Sequence, residues 1–365
     1  METALLIGTH VKRKSSSIGD SRESLDELER LLETAGGQAS DKMIQQMDRP
    51  SPATLIGSGK VAELSQRARR NEFKTLIFDD ELKPAQQKNL ANAIPAKILD
   101  RTRLILDIFA RRARSREGIL QVELAQLSYM LPRMTERYGR FEQQVGGIGT
   151  RGPGERKLEV EARHIRNRMA SLKRQIESVR LHRETARERR RSIPLPIVTI
   201  VGYTNVGKST FLNKLVEYYG KRTDTIYADN KLFATLDPTT RRIRLPSGKI
   251  VLFTDTVGFI RKLPTPLIAA FRSTLEETLD ADVLLHLIDA SHPNRVEQAK
   301  AVVDILKSLE RPGKSVEDRI VTAYNKADML PHIAGMEASS DALLVSALKG
   351  INLDKLLEKI EEKLS

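Results

Sequence analysis

Residues Gly202-Tyr203-Thr204-Asn205-Val206-Gly207-Lys208-Ser209 spell G-x-x-x-x-G-K-S directly after the apolar run Pro196-Ile197-Val198-Thr199-Ile200-Val201. Such a loop works by aiming successive backbone N–H groups and a helix N-terminus at phosphate oxygens, so it must join a strand to a helix. That requirement commits the surrounding chain to a strand-loop-helix layer. Lys208 is expected to reach the β and γ phosphates, Ser209 to offer its hydroxyl to Mg²⁺, and Gly207 to keep the backbone clear, with Thr210 next in the first helical turn. This loop is common to ATPases and GTPases.

Three later elements select the base and sense the phosphate. Asp255-Thr256-Val257-Gly258 follows the strand-like run Ile250-Val251-Leu252-Phe253-Thr254. At the carboxyl end of a strand Asp255 can hold Mg²⁺ through a water, and Gly258 can give its N–H to the γ phosphate; Lys208 and Gly258 together would stabilise that group. Asn325-Lys326-Ala327-Asp328 follows Arg319 to Tyr324, and Ser346-Ala347-Leu348 follows Ala342 to Val345. Guanine presents an N1–H beside an exocyclic amine, two donors that one carboxylate accepts together, and adenine has no such pair. Asp328 is expected to take both, Asn325 the remaining purine edge, Lys326 the ring face, and Ser346-Ala347-Leu348 the far side. Four motifs in this order read as a guanine-nucleotide switch with GTP as substrate and Mg²⁺ as cofactor. A second sensor threonine belongs between the loop and Asp255; spacing leaves Thr235, Thr239 and Thr240 as candidates. Phe259 stands where Ras-like enzymes carry the glutamine that orients the attacking water. Phenylalanine cannot hold a water, so slow hydrolysis is expected of the protein alone, the missing group coming from a partner, another residue or a rearranged switch. No catalytic residue is thereby assigned.

The net charge of +13 is local: residues 111–194 carry 21 Lys and Arg against 10 Asp and Glu, whereas the flanking segments are each at +1. Such clustering is the electrostatic footprint of a polyanion-binding surface. In the same segment Leu120, Leu124, Leu127, Leu131, Met134, Tyr138 and Phe141, then Leu158, Ala162, Ile165, Met169, Leu172, Ile176 and Val179, recur in steps of four and three. Two heptad seams joined by a short loop predict an antiparallel helical hairpin, with a kink or break near Pro132. The joining loop, Gly146 to Glu155, is too rich in glycine to be helical. It forms the tip, where Gly147 allows close backbone approach and Arg151, Arg156 and Lys157 supply charge, an arrangement suited to a crevice lined by phosphates. Pro194 and Pro196 end the second helix.

In the first hundred residues the apolar runs Ala4 to Ile7, Thr75 to Phe78, Ala96 to Leu99 and Leu104 to Ile108 alternate with helical stretches Ser24 to Ala35 and Pro84 to Ala93. That alternation predicts a small α/β layer with a largely parallel sheet. Gly57-Ser58-Gly59-Lys60 lacks full phosphate-loop spacing and is followed by Val61, so it reads as a loop opening a helix. The expected fold class is α/β: an N-terminal α/β layer (1–112), a basic helical hairpin (113–194, tip 146–155) and a Ras-like phosphate-loop G domain (195–365). The absence of cysteine excludes disulfides and thiolate-ligated zinc and fits a reducing cytoplasm. The longest apolar runs fall far below the roughly 20 residues of a membrane helix, and Met1 to Gly8 lacks a basic region for secretion.

The combination of Ile56-Gly57-Ser58-Gly59-Lys60-Val61, the Gly-Gly-Ile-Gly-Thr-Arg-Gly-Pro-Gly-Glu loop and Phe-Ala-Thr-Leu-Asp-Pro-Thr-Thr-Arg ahead of Asp-Thr-Val-Gly-Phe resembles the HflX family of GTPases over essentially the full chain. The resemblance implies a cytoplasmic GTPase that binds the large ribosomal subunit, whose rRNA and proteins stimulate hydrolysis and where the tip residues Gly147, Arg151, Arg156 and Lys157 would meet rRNA; a monomer is expected, though the sequence does not fix the oligomeric state. It also implies a tip loop reaching toward the peptidyl-transferase region and a GTP form that separates idle or stalled ribosomes under stress. By the same resemblance Thr235 is the Mg²⁺-approaching threonine within the nucleotide-binding element Phe233, Ala234, Thr235, Leu236 and Asp237, and Phe259 fits a group with a hydrophobic residue in place of the glutamine. The sequence stops at Ser365, where longer members continue. GTP is expected to order the switches and fix the hairpin in a ribosome-binding form. Two other readings stay open: a large-subunit assembly checkpoint, and an RNA-remodelling protein using ATP through the N-terminal layer. A peripheral membrane pool stays open as well.

Overall fold

The computed structural model describes residues 2–12, 18–138, 153–190, 195–220, 233, 239–262, 264, 267–271, 279–310, 315–330 and 343–365. Contacts divide the chain into two units, one of residues 1–111, 119–179 and 264–270, the other of residues 112–118, 180–263 and 271–365.

The first unit begins with β1 (Thr3–Val11), α1 (Ile18–Thr34), β2 (Gln38–Met47), α2 (Ser58–Arg69), β3 (Thr75–Phe78), α3 (Pro84–Ala93), β4 (Lys97–Asp100) and α4 (Arg101–Arg112). Its sheet has the order β2-β1-β3-β4 and every pairing is parallel. Parallel strands are covered on both faces, which explains the unbroken burial of Ala4 to Gly8 and of Thr75 to Phe78. The strand β2 escapes a hydrophobic pattern because it is the edge: none of its residues is fully buried, and it pairs with β1 through a register shift after Ala4.

One expected strand is a helix. The run Leu104 to Ile108 lies inside α4, with Leu104, Ile105, Leu106, Ile108 and Phe109 all buried. A short apolar run does not distinguish a buried strand from a buried helix. Here the cap decides, since Asp100 Oδ1 accepts the Arg103 N–H at 2.9 Å and starts a helix at the end of β4.

The hairpin helices are α5 (Arg116–Tyr138) and α6 (Pro153–Arg190). Leu120, Leu124 and Leu127 pack with Met169, Leu172 and Ile176, so the two seams meet as their spacing demands. Arg168 closes the flank with a two-pronged bond to Glu123 at 2.7 and 2.8 Å. The structure corrects two details. Of the kink or break expected near Pro132, the break is absent: the first helix runs on through that residue. Its far side is held to the N-terminal layer: Tyr129 donates to Asp100 Oδ1 at 2.8 Å, and Arg133 donates to Leu82 O at 2.7 Å and Gln87 Oε1 at 2.9 Å. Those contacts oppose the roughly 3 kcal/mol an interior proline costs. The second helix starts at Pro153, so Pro153, Gly154 and Glu155 form its first turn rather than the end of the loop. Proline's fixed φ and missing N–H suit a first helical position. The tip residues Gly147 and Arg151 lie outside the described residues, as do the side chains of Arg156 and Lys157.

The second unit holds β5 (Ile197–Gly202), α7 (Lys208–Tyr219), β6 (Thr239–Arg244), β7 (Ile250–Asp255), β8 (Val283–Asp289), α8 (Arg295–Ser308), β9 (Ile320–Asn325), β10 (Leu343–Leu344) and α9 (Leu353–Lys363). The sheet order is β10-β9-β8-β5-β7-β6, with only β6 antiparallel to its neighbour. Val198, Ile200, Phe211, Leu215, Phe253 and Leu285 form its dry centre. After β5 the chain turns to one side for β7 and later to the other for β8. The carboxyl end of β5 is therefore the switch point at which open α/β sheets bind ligands.

Candidate guanine-nucleotide site

At that switch point the loop from Gly202 to Ser209 leaves β5 and enters α7. Two glycines are required sterically. A Cβ on Gly202 would stand 2.4 Å from Leu287 O, and Gly207, with φ of 92°, leaves no room because a Cβ would lie 2.6 Å from Asn325 Nδ2. Lys208 is buried and donates to Gly202 O at 3.1 Å and Tyr203 O at 2.8 Å. Burial lowers its pKa to about 8, with Asp255 pulling the other way. Ser209 Oγ donates to Asp255 Oδ2 at 2.6 Å, which joins the two residues expected around Mg²⁺. Thr204 Oγ1 is buried in the same loop with no hydrogen-bond partner among the described residues, a donor left for an acceptor such as a phosphate oxygen.

Beyond Asp255 the chain lies against this loop. Thr204 N–H donates to Phe259 O at 2.7 Å and Phe259 N–H to Gly202 O at 3.1 Å, forming a parallel bridge between Tyr203 and Phe259. Arg261 N–H donates to Tyr203 Oη at 2.5 Å. Gly258 fits only as glycine, since a Cβ would come 2.8 Å from Thr204 Cα and 2.9 Å from Lys208 Nζ. Its place over Lys208 suits a γ-phosphate sensor. Thr256, expected among the nucleotide contacts, donates its buried hydroxyl to Ile200 O at 2.7 Å, which leaves its backbone for such a contact. The Phe259 side chain is 3% exposed and belongs to the core. Phe259→Gln is accordingly expected to raise intrinsic GTP turnover less than twofold, because the new amide would point into the core. Single-turnover hydrolysis of the variant checks this.

The turns expected to meet the base come from the ends of β9 and β10. Asn325 sits where an amide for the purine edge was expected, yet both ends of its side chain serve the frame: Nδ2 donates to Val206 O at 2.8 Å and Oδ1 accepts the Ala347 N–H at 2.9 Å. The turn continues through Ala327, whose N–H meets Val345 O at 3.0 Å. Ser346 donates to Asp328, orienting that carboxylate, while Leu348 stays exposed. Lys326 directs its ammonium to Asp289 Oδ2 at 2.6 Å. Asp289 and the buried His286, both on β8, escaped sequence reasoning; the available signal was that they are the two polar side chains of an otherwise apolar strand. Phe233 is buried with φ of 56°, and Ala234, Thr235, Leu236 and Asp237 lie outside the described residues. Lys60 of the N-terminal Gly-Ser-Gly-Lys stretch lies in the first turn of α2 and pairs with Glu63 at 2.6 Å, as a helix-opening loop requires.

A largely parallel sheet with a phosphate loop at its switch point and an Asn-Lys-x-Asp turn beside it defines a GTPase of the phosphate-loop class. Comparisons with known proteins narrow the class. Residues 22–110 match the family model described as GTP-binding GTPase N-terminal, residues 112–190 that of its middle region, and residues 197–326 that of 50S ribosome-binding GTPase. The GTPase HflX of Caldanaerobacter subterraneus is 47% identical over 345 residues, covering 94% of this chain and 78% of the relative. That of Escherichia coli is 40% identical over 348 residues, covering 94% and 79%. The crystal structure of SsGBP in complex with GDP superposes with a TM-score of 0.51 at 26% identity, covering 99% of this chain and 98% of that one. The chain belongs to the HflX family of GTPases, and its reaction is the hydrolysis of GTP.

Proposed function

We propose that this GTPase binds the large ribosomal subunit, that rRNA and ribosomal proteins stimulate its hydrolysis, and that its GTP form separates stalled or idle ribosomes in the cytoplasm. The observation that carries the reading is the basic hairpin. Along α6, Arg163, Arg166, Lys173 and Arg174 are exposed, and the segment holding them has nearly all the excess charge of the chain. A surface of this kind needs a large polyanion. The family description of the G domain as 50S ribosome-binding supports the same partner. Residues 1–112, 113–194 and 195–365 would then serve as base, arm and switch, with Gly147, Arg151, Arg156 and Lys157 at the rRNA. Among the described residues no helix is long and apolar enough to cross a membrane.

In the G domain, Gly202 to Thr210 would cradle the phosphates, Asp255 to Gly258 would report the γ phosphate, and Asp328 would read guanine. The hydroxyl-carboxylate pair of Ser209 and Asp255 suits a hard cation. Ser209 and Thr235 would hold Mg²⁺, with Asp255 acting through a water, and the ion would neutralise charge between the phosphates. Lys208 would turn from its loop carbonyls to the phosphates, and Gly258 would donate its N–H from above.

The test is GTP turnover by the protein alone, with large subunits, and with large subunits plus two variants. One replaces Gly146 to Gly154 by a short neutral turn; the other carries Arg163→Glu, Arg166→Glu and Arg174→Glu. Stimulation is expected to fall at least tenfold in both, and binding of the parent to weaken steeply with salt. Light scattering of intact ribosomes separates the activities: GTP-dependent splitting supports the proposal, whereas subunit binding without splitting favours an assembly checkpoint. Absence of stimulation by any ribosomal particle would overturn it.

A further inference from the structure

Lys326 leaves β9 in the left-handed region, with φ of 64°, and its ammonium lies 2.6 Å from Asp289 Oδ2. The acid is itself held. Its Oδ1 accepts both the N–H and the hydroxyl of Ser291, at 3.0 and 2.6 Å. Asp289 stands directly opposite Asn325 in the β8–β9 ladder, and Ala290 N–H donates to Asn325 O at 2.8 Å. The two side chains are 11% and 24% exposed, so their pairing is only partly screened. A lysine stem fixed at both ends is a preformed plate; one fixed only at Cα loses rotamer freedom on each binding event.

We infer that Asp289 is a positioning residue for the guanine nucleotide, acting through Lys326. It lays the lysine stem beside the base turn and takes up the ammonium charge. Asp328, two residues from Lys326 and oriented by the Ser346 hydroxyl, then stays available to the paired donors of guanine. Without Asp289 the carboxylate within closest reach along the chain is Asp328, and a Lys326–Asp328 pair would compete with the base. The inference rests on the guanine reading of this turn.

The experiment measures GDP affinity and dissociation rate, and KM and kcat for GTP, in Asp289→Asn, Lys326→Met and the double variant. Asp289→Asn is expected to weaken GDP binding about tenfold and to speed its release by a similar factor, with the change in KM rather than kcat. Lys326→Met keeps an unbranched stem without the charge. The double variant should bind no worse than Asp289→Asn alone, because both changes remove one interaction. Affinity unchanged in Asp289→Asn, or effects that multiply in the double variant, would overturn the inference and leave Asp289 as a brace for the Ser291 turn. Asp328→Asn tests the underlying reading separately: xanthine, with a carbonyl where guanine has its amine, should then be preferred. Unchanged base preference would remove that reading and the inference with it.

Discussion

Asn325→Ala is expected to weaken GDP binding at least a hundredfold and to lower the stability of the G domain by about 2–6 kcal/mol. The reason lies in what this one side chain joins. Val206 O in the phosphate loop and Ala347 N–H in the Ser-Ala-Leu turn both terminate on it, and all three groups are buried. Truncation leaves a donor and an acceptor unpaired, each costing about 1–3 kcal/mol. It also releases the two loops from each other, so the phosphate cradle and the base turn no longer share a fixed spacing. A Cβ at Gly207 would touch the same amide, which shows how closely the loop is fitted to it. Nucleotide titration and thermal denaturation check both effects. Asn325→Asp separates donor from acceptor: it can still accept from Ala347 but presents a carboxylate to Val206 O, and should be nearly as impaired. Tight GDP binding in Asn325→Ala would refute this account.

Acid should destabilise the G domain through His286. This residue is buried in the centre of β8, opposite Val201 of β5. Burial, helped by the nearby Lys208 charge, lowers its pKa from 6.5 to about 4. Between those values the unfolded chain binds a proton that the folded chain refuses. Stability supplied by the neutral ring is therefore complete above about pH 6.5 and is lost as pH falls toward 4, by about 3 kcal/mol at most. That is a large share of the roughly 5–15 kcal/mol typical of a domain. His286→Leu should flatten the stability curve in this window relative to the parent. Other groups titrate there too, so the difference between the two curves is the measurement. Parallel curves would show that the proton is accommodated without cost.

Much of the architecture was legible because it is written in local periods. The apolar runs that became β1, β3, β4, β5, β7 and β8 stand beside helical stretches at short spacing, and that alternation encodes a parallel sheet. The seam positions Leu120, Leu124 and Leu172 meet because a heptad repeat leaves an antiparallel pair of helices few ways to bury itself. Where the period was weak or ambiguous, the reading failed. The strand β2 is polar because it is an edge, and Leu104 to Ile108 became helix because Asp100 caps it. Pro132 remained helical because Tyr129 and Arg133 are held by groups from other elements.

The nucleotide site divides in the same way. By itself the sequence named the candidates for phosphate, Mg²⁺ and guanine, since the loop between Gly202 and Ser209, the Asp255 turn and the Asn325 turn are each contiguous and each follows its strand. Only the tertiary structure decided how they are braced. Asn325 joins residues 119 and 22 positions away, Lys326 meets an acid 37 positions away, and Thr204 bonds the backbone of Phe259. Motifs are local because a strand and its following turn present their own backbone to the ligand. Bracing is non-local because hydrogen bonds and ion pairs form across whatever the fold brings within 3 Å, and no period in the chain records that choice.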